Sequence, residues 1–324
     1  GLGLTALAVT EAHGGMGFGA VEAMVVMEEL GRGLVNAPYV QGALVAPQIL
    51  RAAPEALQAE WLPRIAEGSA LVVLAHQERQ ARYRLDDVTT TATKTGDAWT
   101  LTGQKSVVPA ADEADAFLVP ARHAGGVGLF LVTAGAAGTG VKACATQDGA
   151  RTGELTLAGT PAALVIADGA AVLALAVDVA IAAQAAESVG VMDRYLAITV
   201  DYMNTRKQFG VAIASFQALR HRVADCKMAL ELGRSMSYYA TLKLGEPEAA
   251  RRRAISQAKV QLAQSVRLLG QQCTQMHGGI GVTDEYVGSH YFKRLTMLEM
   301  SFGDLYHHLG EVSTRMQDTA GVFA

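Results

Sequence analysis

Charge is scarce in this chain. Asp, Glu, Lys and Arg make up only 18% of its 324 residues, and the formal net charge is -4. The longest basic run, Arg251-Arg252-Arg253, is too short to serve as a nucleic-acid footprint and reads as a solvated helix face. Cysteine is nearly absent as well. Cys144, Cys226 and Cys273 are odd in number and far apart, which excludes a disulfide framework and a metal motif and favours a reducing, cytoplasmic setting. No run combines the length and flanks of a membrane span, and the most apolar one, 170–183, is interrupted by Asp178 and reads as a packed helix.

What the chain does have is apolar and Ala-rich sequence, half of all residues being hydrophobic, which suits close-packed helices and subunit contacts. Its length allows two or three domains. Residues 1–69 read as helical: VEAMVVMEELGRG (21–33) has helical spacing and a Gly stop, and Pro47 and Pro54 punctuate two short helices. The opening GLGLTALAVTEAHGG looks cut into the middle of a domain. Residues 70–168 change character. ALVVLAH, VTTTATK, AWTLTGQKSVV, DAFLVPA, VGLFLVT, VKACA, GELTLAG and ALVI are eight short β-rich runs, expected to close into a small barrel or sandwich.

Residues 169–324 return to helix. Phe216, Leu219, Val223, Cys226, Leu230 and Gly233 recur at steps of three and four, and so do Leu262, Val266, Leu269, Cys273 and Met276. Seams of that kind build an antiparallel four-helix bundle, with Gly245-Glu246-Pro247 separating two of its helices. The expected fold is therefore mainly α with a central β-domain.

Two motifs carry chemistry. In RKQFGVAIASFQ (206–217), Arg206 can grip a diphosphate with paired charged hydrogen bonds, Phe209 offers an apolar plate, and Gly210 permits a sharp turn. In QMHGGIGVTDEY (275–286), glycines let backbone N–H groups approach an anion or polar rim. A single Gly-rich loop also reads as a tight inter-helix turn. The pairing of both motifs on one bundle favours ligand binding.

Together with EAHGGMGFG (11–19), EELGRG (28–33), Gly103-Gln104-Lys105 and HYFKRL (290–295), these motifs make the chain resemble the acyl-CoA dehydrogenase family over essentially its whole length. The resemblance implies a helical N-terminal part, here without the first helical pair, a β-barrel-like middle and a C-terminal four-helix bundle. It also implies FAD shared across a subunit interface. Arg206, Gln208, Phe209, Phe216, Gln217, Gln275, Gly278 and Gly279 correspond to the residues that reach a neighbour's cofactor.

The same resemblance exposes what is missing. In the family a carboxylate takes the α-proton of an acyl-CoA thioester while the β-hydrogen leaves as hydride to the flavin. Its two usual positions correspond to Phe302 and Ala180, neither of which can accept a proton. Residues under a subunit's own flavin correspond to Gln77, Glu78, Arg79 and Tyr83, and a Trp-x-Thr segment to Val107-Val108-Pro109. Asp304 stands where a Thr usually faces the phosphates. The chain thus resembles the small, base-lacking subunit of bacterial α2β2 acyl-CoA dehydrogenases. The partner would be a homologous subunit carrying the catalytic Glu and most of the acyl-CoA, and the company that such subunits keep suggests a steroid side-chain CoA as substrate. Two alternatives stay open: a self-sufficient enzyme with a base relocated to Glu299, one turn before Phe302 on the same expected helix, or a non-redox acyl-CoA-binding scaffold. His307-His308 points apart on a helix and is not read as a metal site. His277, Asp178 and Glu187 read as packing or inter-helix partners, and Cys273 as core.

Overall fold

The structure, a computed structural model, describes residues 2–320. The chain divides into two compact units, residues 1–23 with 37–180 and residues 24–36 with 181–324.

In the first unit, a buried one-and-a-half-turn π segment (Val40–Val45) runs into helix α2 (Ala46–Leu50), and α3 (Glu55–Glu67) follows. Gly68, at φ 75°, accepts the left-handed geometry that closes α3. Strands β1 (Val72–Leu74), β2 (Thr91–Thr95), β3 (Ala98–Pro109), β4 (Ala116–His123), β5 (Gly126–Thr133), β6 (Thr139–Ala145) and β7 (Arg151–Ile166) form one sheet. Its order β1-β4-β2-β3-β7-β5 closes on itself through a β4–β5 pairing, with β6 added on β7. Closure pairs the ring strands β2, β3, β4, β5 and β7 on both sides, while β1 and β6 are each paired on one side only. Leu101, Phe117, Val119, Phe130, Val132, Leu155 and Leu157 fill the interior.

Eight β-rich runs become seven strands because GELTLAG and ALVI are one strand, β7. The break between them is a bulge: Gly159 adopts φ 66° and is skipped in the register with β3, where Leu101 pairs Thr160 and Thr102 pairs Ala158.

The second unit holds α1 from Met24 onward (the helix spans Ala20–Arg32) and most of α4 (Ala170–Thr205). Two tiny strands β8 (Lys207–Gln208) and β9 (Val211–Ala212) follow, then α5 (Gln217–Lys243), α6 (Glu248–His277), α7 (Val287–Met300) and α8 (Leu305–Ala320). Helix α4 is long and apolar enough to cross a bilayer, but 67% of its most apolar window is buried inside the protein, as in a bundle core helix. It crosses α1 at near backbone contact. A Cβ on Gly190 would lie 2.8 Å from the Arg32 nitrogen and closer still to the Glu28 carbonyl oxygen. An ionic cluster borders the crossing: Arg32 bonds Asp193, Arg234 bonds Glu28, and the nearly buried Glu187 receives Arg294 of α7 at 2.5 Å.

The α6 seam is buried from Leu262 to Met276, Cys273 included. The α5 seam is buried only from Cys226 onward. Phe216 is exposed, and Leu219 and Val223 are half-buried, because the first turns of α5 stand beyond the packed part of the bundle. Arg251 also departs from expectation: it is buried and turned back to the Glu246 carbonyl, not solvated.

Candidate functional site

The residues of the first motif gather on an exposed hairpin. Helix α4 stops at Thr205, Arg206 follows it, and β8 and β9 fold back through Phe209 (φ 53°) and Gly210 (φ 82°). The Arg206 carbonyl accepts the Ile213 N–H at 2.9 Å, which closes the loop behind the side chain. Phe209 is 91% exposed and meets Phe216 edge-on at 6.0 Å. An apolar ring held in solvent by a strained backbone is costly unless something covers it. Arg206, Gln208 and Gln217 are exposed beside it.

The second motif lies at the end of α6. Gln275, Gly278 and Gly279 are all exposed, and a Cβ on either glycine would meet nothing within 4 Å. Gly278 is required by its backbone, φ 65° and ψ -143°, a region essentially closed to other residues. The Arg222 guanidinium of α5 reaches Gln272 of α6 at 2.5 Å, so both motifs sit at one end of the α5–α6 hairpin.

Beneath the second loop His277 is a fixed pin. Its Nδ1 bonds the Cys273 carbonyl at 2.8 Å, so Nδ1 carries the proton and Nε2 accepts the Tyr286 hydroxyl at 2.8 Å. Tyr195, Tyr202 and Tyr286 enclose the ring. Burial lowers its pKa, against the pull of the Cys273 carbonyl. A neutral, enclosed imidazole positions the Gly pair and does not face a ligand.

The two positions that the resemblance matches to the base carry side chains with no titratable group. Ala180 is fully buried. Phe302 is not on α7: the helix ends at Met300, and Phe302 sits in a turn at φ 56°. The sequence expectation that Glu299 and Phe302 share a helix is therefore wrong, because Ser301 leaves helical geometry at ψ 137°. Glu299 is 11% exposed and pairs with Arg267 at 3.2 Å, which accounts for its carboxylate.

The turn itself is braced from behind. The Lys259 ammonium donates to the Leu298 carbonyl at 2.6 Å and the Ser301 carbonyl at 2.9 Å, and His308 Nε2 donates to the Phe302 carbonyl at 3.0 Å. Burial pulls Lys259 down to about 7, opposed by Glu299 and Asp304. Burial and the Lys259 charge push His308 down to about 3. Asp304 accepts the His307 N–H at 2.9 Å and so caps α8. Sequence reasoning missed Lys259 and His308, whose roles depend on partners about 40 residues or more away or on a break in helix. Among the described residues, no group of three His, Cys, Asp or Glu side chains could hold a metal ion.

In the first unit, Glu78 is turned inward. Its carboxylate accepts the Lys105 ammonium at 2.6 Å, the Thr89 N–H and hydroxyl at 2.8 and 2.5 Å, and the Thr90 N–H and hydroxyl at 3.1 and 2.7 Å. Lys105 also donates to the Pro120 carbonyl at 2.7 Å. Burial favours the neutral acid, but Lys105 and Thr89 overcome it and hold Glu78 below the usual carboxylate range. Arg79 is exposed and ion-paired to Glu154. Val107 protrudes at φ 52° from a bulge between Lys105 and Val108, while Val108 faces the barrel core. A β-branched residue at positive φ is a true conformational outlier. This stretch, which the resemblance matches to a Trp-x-Thr segment, presents a methyl surface and a proline ring.

Sequence profiles of the N-terminal, middle and C-terminal domains of acyl-CoA dehydrogenases match residues 1–69, 74–159 and 167–316. The chain belongs to the acyl-CoA dehydrogenase family, a family of FAD-dependent oxidoreductases. Among its relatives, acyl-CoA dehydrogenase FadE27 of Mycobacterium tuberculosis is 28% identical over 98% of this chain and 86% of its own length. A variant of the Tcur3481-Tcur3483 steroid ACAD superposes with a TM-score of 0.90 at 31% identity, over 98% of this chain and 87% of the other. The ChsE4-ChsE5 complex of Mycobacterium tuberculosis gives 0.88 at 28% identity, over 97% and 85%.

Proposed function

We propose that this chain is the base-lacking subunit of a heteromeric acyl-CoA dehydrogenase and completes the FAD site of a homologous, Glu-bearing partner in an α2β2 assembly. One observation carries the reading: no proton acceptor stands at either base position, Phe302 or Ala180, while the cofactor-facing set around Arg206, Phe209 and Gln275 is intact and exposed. The residue types fit a flavin dinucleotide. Arg206 and Gln208 suit a diphosphate, Phe209 and Phe216 an adenine or ribose face, and Gln275 with Gly278 and Gly279 a polar rim. When bound, the flavin supplies the hydride acceptor for α,β-dehydrogenation of the thioester. This chain's own contribution is to hold that cofactor from across the interface, the base coming from the partner.

The solved relatives of known composition support the partner and the acyl group, one being a steroid ACAD and another a two-component complex. A steroid side-chain CoA is accordingly the proposed substrate class, and the thiols, none of them in a disulfide, agree with a cytoplasmic setting. A chain acting alone with Glu299 as base is disfavoured by that residue's pairing with Arg267.

The test is reconstitution. Purified alone, the chain is expected to show no flavin absorbance and no turnover, and to gain both on mixing with its partner. A yellow, active oligomer of this chain alone would overturn the proposal.

A further inference from the structure

His277 and Tyr286 are joined beneath the loop of the second motif. The Tyr286 hydroxyl donates to His277 Nε2 at 2.8 Å, and His277 Nδ1 donates to the Cys273 carbonyl at 2.8 Å. We infer that Tyr286 is a redox site, oxidised by one electron by a peroxyl radical while its phenol proton passes to His277.

A phenol is hard to oxidise unless its proton leaves with the electron, because the oxidised phenol is a far stronger acid than the phenol itself. The proton needs a base within hydrogen-bond reach. Tyr286 has one. With Nδ1–H committed to the Cys273 carbonyl, the lone pair of Nε2 is the one that faces the phenol. Burial lowers the pKa of His277, which keeps the ring neutral and able to accept. Burial raises that of Tyr286, so the phenolate is not available beforehand and electron and proton leave together.

The neighbouring tyrosines lack such a partner. Tyr202 gives its hydroxyl to the His277 carbonyl at 3.3 Å, and Tyr291 to the Arg32 carbonyl at 3.0 Å. Tyr195 meets the Thr274 hydroxyl at 2.8 Å, and Thr274 spends its own proton on the Gly270 carbonyl at 2.9 Å, so Tyr195 is the donor. Amide carbonyls and alcohols are too weakly basic to hold the proton. Tyr195, Tyr202 and Tyr286 all lie within 6.0 Å of the imidazole, ring centre to ring centre, yet only Tyr286 is wired to its nitrogen.

Little has to move. Tyr286 immediately precedes α7, and its carbonyl accepts the Ser289 N–H at 3.1 Å and hydroxyl at 3.0 Å, which fixes the base of the side chain. Its ring is half-buried, within reach of an oxidant in solvent, whereas His277 is 3% exposed and keeps the transferred proton from water.

The balance is complete. The peroxyl radical gains one electron, takes a proton from solvent and becomes a hydroperoxide. Tyr286 loses one electron, its O–H bond breaks, and an N–H bond forms on His277. The imidazolium is then held between the Cys273 carbonyl and the phenoxyl oxygen. A soluble enediol such as ascorbate returns the electron, and the retained proton goes back to oxygen. On the subunit reading above, the site lies in the loop that meets a neighbour's flavin, a cofactor of one-electron and dioxygen chemistry. Only that meaning rests on the reading, since the site is tested on this chain alone.

The full-length chain is oxidised by flash-generated tris(bipyridine)ruthenium(III), and phenoxyl formation is followed by transient absorbance and freeze-quench electron paramagnetic resonance. A fast phase is expected, slowed in deuterium oxide, lost in Tyr286→Phe and kept in Tyr202→Phe. Tyr286→Phe retains the packed ring, and helical circular dichroism checks its fold. In the wild type, isotopic labelling of histidine nitrogen should alter the hyperfine spectrum of the radical, a readout that needs no variant. A fast phase that survives in Tyr286→Phe, or a spectrum unchanged by the label, overturns the site. With a soluble azo initiator as peroxyl source, peptide mapping should find residue 286 oxidised ahead of Tyr306, although Tyr306 is 72% exposed. Oxidation at Tyr306 first overturns the peroxyl assignment.

Discussion

The Glu78–Lys105 pair allows a sharp test of how much a buried ion pair stabilises the unit that contains the barrel. Their side chains are 2% and 0% exposed, and Lys105→Met would keep the length of the side chain while removing its charge. Breaking a buried pair from one side typically costs about 3–5 kcal/mol, because a charge is left without its partner. Glu78 keeps five hydrogen bonds, four from Thr89 and Thr90 and one from the Gln80 amide, which places the expectation at the lower end, about 3 kcal/mol. Both tryptophans, Trp61 and Trp99, lie in the unit that contains the pair, so their fluorescence reports its unfolding. With a urea slope of about 3 kcal/mol/M, the midpoint should fall by roughly 1 M.

The pH dependence has a definite sign. The folded-state pKa of Glu78 is below its unfolded value, so its contribution is fully present above the unfolded value and is lost as pH falls through that value toward the folded one. In Lys105→Met the carboxyl gains a proton at higher pH, and the deficit against wild type shrinks on acidification. Glu78→Gln combined with Lys105→Met removes the orphaned charge and should recover part of the loss. A single variant within about 1 kcal/mol of wild type at every pH, or a double variant no better than the single, would refute the assignment of a buried ion pair.

Three further outcomes are expected. Gly190→Ala drives a methyl group into the α1 backbone and should cost about 3 kcal/mol in denaturant titrations followed by helical circular dichroism, whereas an unchanged midpoint would contradict the close crossing. Arg206→Ala should reduce flavin retention by the reconstituted complex roughly 10- to 100-fold, the size of one charge-assisted hydrogen bond or two, with binding unaltered if the residue plays no part. Glu299→Gln should leave reconstituted turnover within about twofold and lower stability by less than about 1 kcal/mol, its partner Arg267 being half-exposed; a collapse of turnover would revive the relocated base.

Local patterns in the sequence were enough for the broad architecture. Short β-rich runs in 70–168 marked the strands, and three-four spacing from Leu262 to Met276 marked the buried face of α6. What failed depended on geometry that periodicity does not carry. The same spacing over Phe216, Leu219 and Val223 describes a face with nothing of this chain packed fully upon it. Gly159 looks like a strand end and is a bulge, because glycine serves both purposes. Phe302 seemed to continue α7, since no proline or clear cap announces the break at Ser301. At the site, Arg206, Gln208, Phe209, Gln275, Gly278 and Gly279 were legible as motif residues, and their exposure agrees with ligand-facing roles without testing them. Lys259, His308 and the Glu78–Lys105 pair were invisible, because each joins residues distant in sequence or lying across a turn.

The brace behind residues 301–303 acts on the main chain alone. Lys259 and His308 hold that turn entirely through main-chain oxygens of Leu298, Ser301 and Phe302. None of those bonds involves the side chain at position 302. A change of side chain at 302 can therefore alter what the turn presents while the turn itself keeps its main-chain anchors.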